Sequence, residues 1–156
     1  MTTARPTPQQ LVDEFHERFA LPRSSTPTLD VSPALADLRN SLLREEVCEL
    51  IEACDAGDLT AIADGIADVL YVVYGTAVTY GLDADALLRE VHRSNMSKLD
   101  ANGQALQRDD GKILKGPNYS PPQLDLVIAA MSLEAGQAPS AAVADCTRPS
   151  SLDQDP

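Results

Sequence analysis

Apolar residues recur along most of this chain at three- and four-residue intervals, the spacing that lines one face of an α-helix, and strict alternation of the strand kind is missing. Thr7 followed by Pro8 is a cap-then-proline start, and Leu11, Phe15 and Phe19 then repeat at helical spacing as far as Leu21-Pro22. Ser32-Pro33 repeats the same start after a Ser/Thr/Pro loop. From about Ala34 to Ala56, Leu35, Leu38, Leu42, Leu43, Val47, Leu50, Ile51 and Cys54 make a broad apolar stripe that Gly57 ends. Asp58 is suited to cap a third helix reaching Tyr80, with Ile62, Ile66, Val69, Leu70, Val73 and Ala77, before Gly81 stops it. That helix is apolar nearly all round, as expected of a central helix or one in a subunit interface. A fourth helix is predicted from Asp83 to about Leu99, and a short fifth from Gln123 to Glu134.

Between the last two, residues 100 to 122 are polar and rich in Gly, Pro and Lys, and read as consecutive turns in an ordered loop or lid. The expected fold class is therefore all-α, a four- to five-helix bundle, oligomeric, with a Gly/Pro/Lys loop after the fourth helix. The expected organisation is a disordered N-terminus (1–6), one domain (7–135) and a disordered Ala/Ser/Pro/Asp-rich tail (136–156).

Composition narrows the function. With 156 residues, 44% of them hydrophobic, one core can be buried, and a net charge of −12 argues against a surface for gripping nucleic acid. An anionic substrate would then be met locally, by a cation or by clustered Lys and Arg. Cys48, Cys54 and Cys146 form an odd set without a paired motif, which reads as structural thiols in a reducing compartment. The Pro- and Thr-rich start lacks a signal-type core, and no apolar run approaches the ~20 residues that span a bilayer. A cytoplasmic location without membrane attachment is the expectation.

The sharpest chemical feature is Arg44-Glu45-Glu46-Val47-Cys48-Glu49. Helical geometry lets these three carboxylates converge beside one turn, and Glu52 extends the ridge. The plain alternative is a solvated acidic face. Asp64 and Asp68, four apart on the otherwise apolar third helix, shift the balance, because carboxylates held there need a cation or donor, and two antiparallel helices would bring both acidic groups together. Oxygen ligands without His or Cys suit a hard ion such as Mg²⁺, with Mn²⁺ as substitute, and Mg²⁺ is commonly shared with substrate phosphates. Donors for phosphate follow in Arg93, Asn95 and Lys98 on the fourth helix and Lys112 and Lys115 in the loop, where exposed loop lysines are the alternative. Tyr119 could stack on a base or anchor its turn. His16 and His92 read as structural or surface histidines.

On these residues the chain resembles the MazG-like all-α nucleoside triphosphate pyrophosphohydrolases, phosphoribosyl-ATP pyrophosphohydrolases among them. Glu45, Glu46 and Glu49 match the family's Glu-Glu-x-x-Glu helix, and residues 63–77, Ser94-Asn95-Met96-Ser97-Lys98 and the segment from Gly111 to Tyr119 resemble its later segments. The likeness covers about residues 35 to 122. At Gly65 the chain departs from the pattern, which has Glu there; Asp64 stands beside it. The resemblance implies Mg²⁺-dependent attack of water at the α-phosphorus of a (deoxy)nucleoside triphosphate, giving monophosphate and pyrophosphate, by a homodimer or homotetramer. Glu45, Glu46, Glu49, Asp64 and Asp68 would hold metal, Glu46 and Glu49 act in catalysis, and Arg93, Asn95, Lys98, Lys112, Lys115 and Tyr119 bind substrate. A phosphoribosyl-ATP pyrophosphohydrolase and a catalytically silent nucleotide-binding or oligomerisation module remain the alternatives.

Overall fold

The computed structural model describes residues 5–137, and the predicted C-terminal tail and Cys146 fall largely or wholly outside that range. Five helices occur in it: α1 (Pro8–Arg18), α2 (Pro33–Ala56), α3 (Leu59–Tyr80), α4 (Ala84–Met96) and α5 (Leu124–Gln137). The protein is all-α, and the one β-type pairing among the described residues is an isolated bridge between Gln107 and Ile113.

Local chemistry sets most of the ends. Thr7 and Gln10 form a reciprocal capping box at α1, Ser32 caps α2 through the Leu35 N–H, and Asp58 accepts from the N–H groups of Thr60 and Ala61 at α3. Gly57 and Gly81 close α2 and α3 in the left-handed conformation. Two ends fall short of expectation. α1 stops at Arg18 because Ala20 turns left-handed (φ 52°), and the Leu21 N–H closes back on the His16 carbonyl. α4 stops at Met96, where the Ser97 hydroxyl donates to the Ser94 carbonyl and accepts from the Ser120 N–H.

α3 is the centre of the fold. α2 packs antiparallel along it, with Leu50 against Gly65 and Arg39 against Val72 and Thr76, so positions on the two helices run in opposite order. α1 packs on the C-terminal half of α3, where Val12 and Val78 are buried and Phe15 meets Tyr71 edge-on, ring centroids 5.6 Å apart. The loop after α1 is pinned to the end of α3 by the Ser24 N–H on the Val78 carbonyl and the Thr28 N–H on the Tyr80 carbonyl. α4 packs on α5, and this second pair is tied to the first three helices through Gln9, which donates to the Leu82 carbonyl and accepts from the Ala84 N–H.

The interior is small. Ile66, Leu70 and Val73 on α3, and Val47 and Ile51 on α2, are exposed. Cys48 and Cys54, read from the sequence as structural thiols, are exposed as well, because α2 packs mainly on α3 and both lie off that contact. A correction concerns α3, whose 22 residues are long and apolar enough to cross a bilayer by length and composition. The Gly, Ala, Thr and Tyr residues between its aliphatic side chains conceal this when only runs of large apolar residues are counted. Asp64 and Asp68 weigh against insertion, since a carboxylate at bilayer depth is costly.

The junction between α4 and the loop before α5 is built on Glu90. Its carboxylate receives two hydrogen bonds from Arg93, each 2.8 Å, and the Gln123 N–H at 2.7 Å; Arg93 also donates to the Pro121 carbonyl. These bonds, Arg93's first and then that of Gln123, hold the Glu90 carboxyl down to about 2 from an ordinary 4.5. Because the folded value lies below the unfolded one, Glu90 contributes its full stabilisation above the unfolded value and loses it as pH falls through about 2. Acid unfolding followed by helical signal is expected to show a Glu90-dependent loss over that interval, which Glu90→Gln removes.

Candidate active site

The antiparallel pairing of α2 and α3 places the predicted carboxylates on one side of the helix pair. Glu46 lies at the half-buried edge of the contact, near Asp68, while Glu45, Glu49 and Asp64 stand exposed around it. Removal from water, followed by the negative charges of Asp68, Glu49, Glu45 and Asp64 in that order, raises the Glu46 carboxyl above its ordinary value. Among the described residues, no Lys or Arg contributes to that shift. The acidic residues of the two helices thus lie within range of one another's charge. The expectation that α3 buries its carboxylates is not met, because Asp64 is exposed and Asp68 only half-buried.

The donor chemistry of these residues suits a cation. None of these five carboxylates takes part in an ion pair or a side-chain hydrogen bond among the described residues. An oxygen-only set with crowded, uncompensated charge is what a hard divalent ion satisfies. The set is open: among the described residues, no three His, Cys, Asp or Glu side chains are drawn into a closed ligand cluster. Gly65 explains part of this openness. It is buried, and a Cβ there would lie 3.0 Å from the Leu50 Cα, so α3 meets the α2 backbone at this point and has no room for a carboxylate.

The predicted phosphate donors collect elsewhere. Lys98 donates to the Asn95 side chain at 2.7 Å, and Gly116 packs against the Lys98 and Leu99 carbonyls, which carries Lys115 to the end of α4. Lys115 lies over the Tyr119 ring, 4.3 Å from its centroid, so that face of the ring is taken. Lys112 sits at a tight turn closed by the Arg108 N–H on the Lys112 carbonyl, with Gly111 at φ 83°. Arg93, predicted to bind substrate, has its fork engaged by Glu90 and Pro121. No ion pair or hydrogen bond among the described residues joins this cationic group to the carboxylates, and α4 does not pack extensively on α2 or α3. Of the histidines, His16 is 3% exposed and structural, and His92 is exposed.

Sequence reasoning missed one feature. Arg39, partly buried, carries no carboxylate partner among the described residues and bonds instead to the Val72 carbonyl (2.7 Å) and the Thr76 hydroxyl (3.3 Å). Burial lowers the pKa of its guanidinium. Gly75, the second glycine inside the third helix, was the available signal.

Comparison with known proteins gives the family of the chain. Residues 12–95 match the family model for phosphoribosyl-ATP pyrophosphohydrolase, a span that contains all five carboxylates. An uncharacterized protein of Acanthamoeba polyphaga mimivirus is 37% identical over 82 residues, covering 51% of this chain and 33% of that protein, so the matched region spans about a third of the relative's length. A crystal structure of a proposed NTP pyrophosphohydrolase from Exiguobacterium sp. 255-15 is 25% identical, covers 84% of this chain and 96% of its own, and superposes with a TM-score of 0.41. With the family match spanning more than half of its residues and all of its clustered carboxylates, the chain belongs to the phosphoribosyl-ATP pyrophosphohydrolase family of the MazG-like superfamily.

Proposed function

We propose that this protein hydrolyses a (deoxy)nucleoside triphosphate to its monophosphate and pyrophosphate, with Mg²⁺, by attack of water at the α-phosphorus. The observation that carries the reading is the unpaired carboxylate group around Glu46, inside the segment that matches the family. Glu45, Glu46, Glu49 and Asp68 would hold the ion, with Asp64 at the edge of the set. When bound, Mg²⁺ supplies positive charge against the phosphates and makes water easier to deprotonate. Glu46, the most crowded carboxylate, takes the proton of the attacking water, and Glu49 keeps that water and the phosphate in line. Lys98, Lys112 and Lys115 neutralise the charge that develops on the departing pyrophosphate. Hydrolysis in isotopically labelled water tests the bond broken: label in the monophosphate supports attack at the α-phosphorus, and label confined to the pyrophosphate contradicts it.

A second reading rests on the family match itself. Phosphoribosyl-ATP is the substrate in that family's description, and the same carboxylates would serve it. It is separated from the first by which substrate gives the higher kcat/KM.

The working unit in this proposal is a homodimer. Exposed Ile66, Leu70 and Val73 of α3 and Val47 and Ile51 of α2 lie, by helical periodicity, on the side of the helix pair away from the carboxylates, an apolar surface suited to a second copy. Sedimentation is expected to give twice the chain mass, and a monomer that is fully active would refute the dimer. Lys112→Ala is expected to raise KM by about tenfold with little change in kcat, the signature of lost phosphate binding. Unchanged steady-state kinetics would return Lys112 to an ordinary exposed loop residue.

A further inference from the structure

Three helices meet at Gly75. A Cβ there would lie 2.5 Å from the Arg39 Nη2 and 3.1 Å from the His16 Nε2, so the missing side chain is the space into which α2 inserts a guanidinium and α1 an imidazole. Glycine inside a helix costs about 0.5–1 kcal/mol relative to alanine, and the close approach of Arg39 accounts for it here. The guanidinium grips α3 at two adjoining acceptors, the Val72 carbonyl and the Thr76 hydroxyl, and that hydroxyl itself donates to the Val72 carbonyl. His16 is fixed from behind by its Nδ1 against the Pro22 carbonyl, 2.8 Å away.

The position of this clamp relative to the carboxylates gives it a consequence. Arg39 is seven residues before Glu46 on α2, two helical turns along the same stripe, and Val72 is one turn after Asp68 on α3. Sliding one helix past the other, or rotating it, would break the Arg39 bonds and at the same time separate Glu46 from Asp68. Among the described residues no other side-chain hydrogen bond and no ion pair crosses between α2 and α3.

We propose that Arg39, seated in the Gly75 notch, is a positioning residue that fixes the α2–α3 register and thereby the carboxylate group around Glu46. The proposal rests on the metal-binding reading of that group. Arginine is suited to the task because its planar fork satisfies two acceptors in one fixed orientation, whereas a lysine ammonium satisfies them as a mobile point donor.

The test is the calorimetric affinity of the full-length protein for Mn²⁺, without nucleotide, in wild type, Arg39→Lys, Arg39→Gln and Gly75→Ala, each at a temperature where its helical signal shows it fully folded. The expected result is a Kd raised about tenfold in Gly75→Ala and Arg39→Gln and by less in Arg39→Lys, in the range seen when groups that orient metal ligands are removed. The double variant Arg39→Gln/Gly75→Ala is expected to be no weaker than either single one, because both remove the same clamp. Variants that melt earlier yet bind Mn²⁺ as wild type does would overturn the proposal, leaving Arg39 a stability residue only. Wild type that binds no Mn²⁺ would overturn the metal reading and this inference with it, and the wild-type titration alone distinguishes that outcome.

Discussion

Glu49→Gln is expected to lower turnover by about a thousandfold while leaving the helical spectrum and melting behaviour essentially unchanged. The two halves of this expectation have separate causes. Glu49 is exposed on α2, makes no ion pair or side-chain hydrogen bond among the described residues, and lies one turn after Glu45, so the fold does not depend on its charge. Its amide replacement keeps size and shape but removes the charge that, in the proposed mechanism, acts beside Glu46 and Asp68 at the metal and the attacking water. A variant with wild-type turnover would remove Glu49 from the site; one that is inactive and unfolded would assign it to structure.

The largest effect on stability is expected at Gly81, and Gly57 is its control. Both glycines end a long helix in the left-handed region, at φ 66° and 69°. Alanine at Gly57 meets nothing within 4 Å, so Gly57→Ala should cost only the conformational penalty, about 1 kcal/mol. At Gly81 a Cβ would fall on the Thr26 carbonyl, in the loop segment whose Ser24 and Thr28 N–H groups bond to the end of α3. Gly81→Ala should therefore displace that segment and lose those bonds besides, a total of about 2–4 kcal/mol. Urea unfolding of the two variants side by side measures the difference, and equal losses would show that the Thr26 segment yields without cost.

Features carried by a few neighbouring residues were legible in the sequence. Ser32-Pro33 and Gly57 bound α2 within one residue of expectation, because caps and left-handed stops act through adjacent backbone. The facing of Glu46 and Asp68 was legible too, since the tight Gly57-Asp58 turn makes α2 and α3 antiparallel neighbours. The early end of α1 was not, because Ala20 takes a conformation that composition assigns to glycine. Arg39 escaped notice for a different reason: its partners are a backbone carbonyl and a hydroxyl, and no complementary charge in the sequence announces them. Nor does helical periodicity say which apolar stripe is covered by the same chain. Ile66 and Leu70 follow the same pattern as Val78, yet Val78 is buried under α1 while the other two are about half exposed.

Metal-dependent pyrophosphohydrolase activity is tested most directly by pyrophosphate release from a panel of canonical and modified (d)NTPs together with phosphoribosyl-ATP, in Mg²⁺, in Mn²⁺ and in chelator, with Glu49→Gln as the control for contaminating activity. Metal-dependent release, concentrated on few substrates, is expected, and chelator and Glu49→Gln should both abolish it. Folded protein that releases no pyrophosphate from any of them in either metal would contradict that expectation, and would make the carboxylates around Glu46 part of a catalytically silent module.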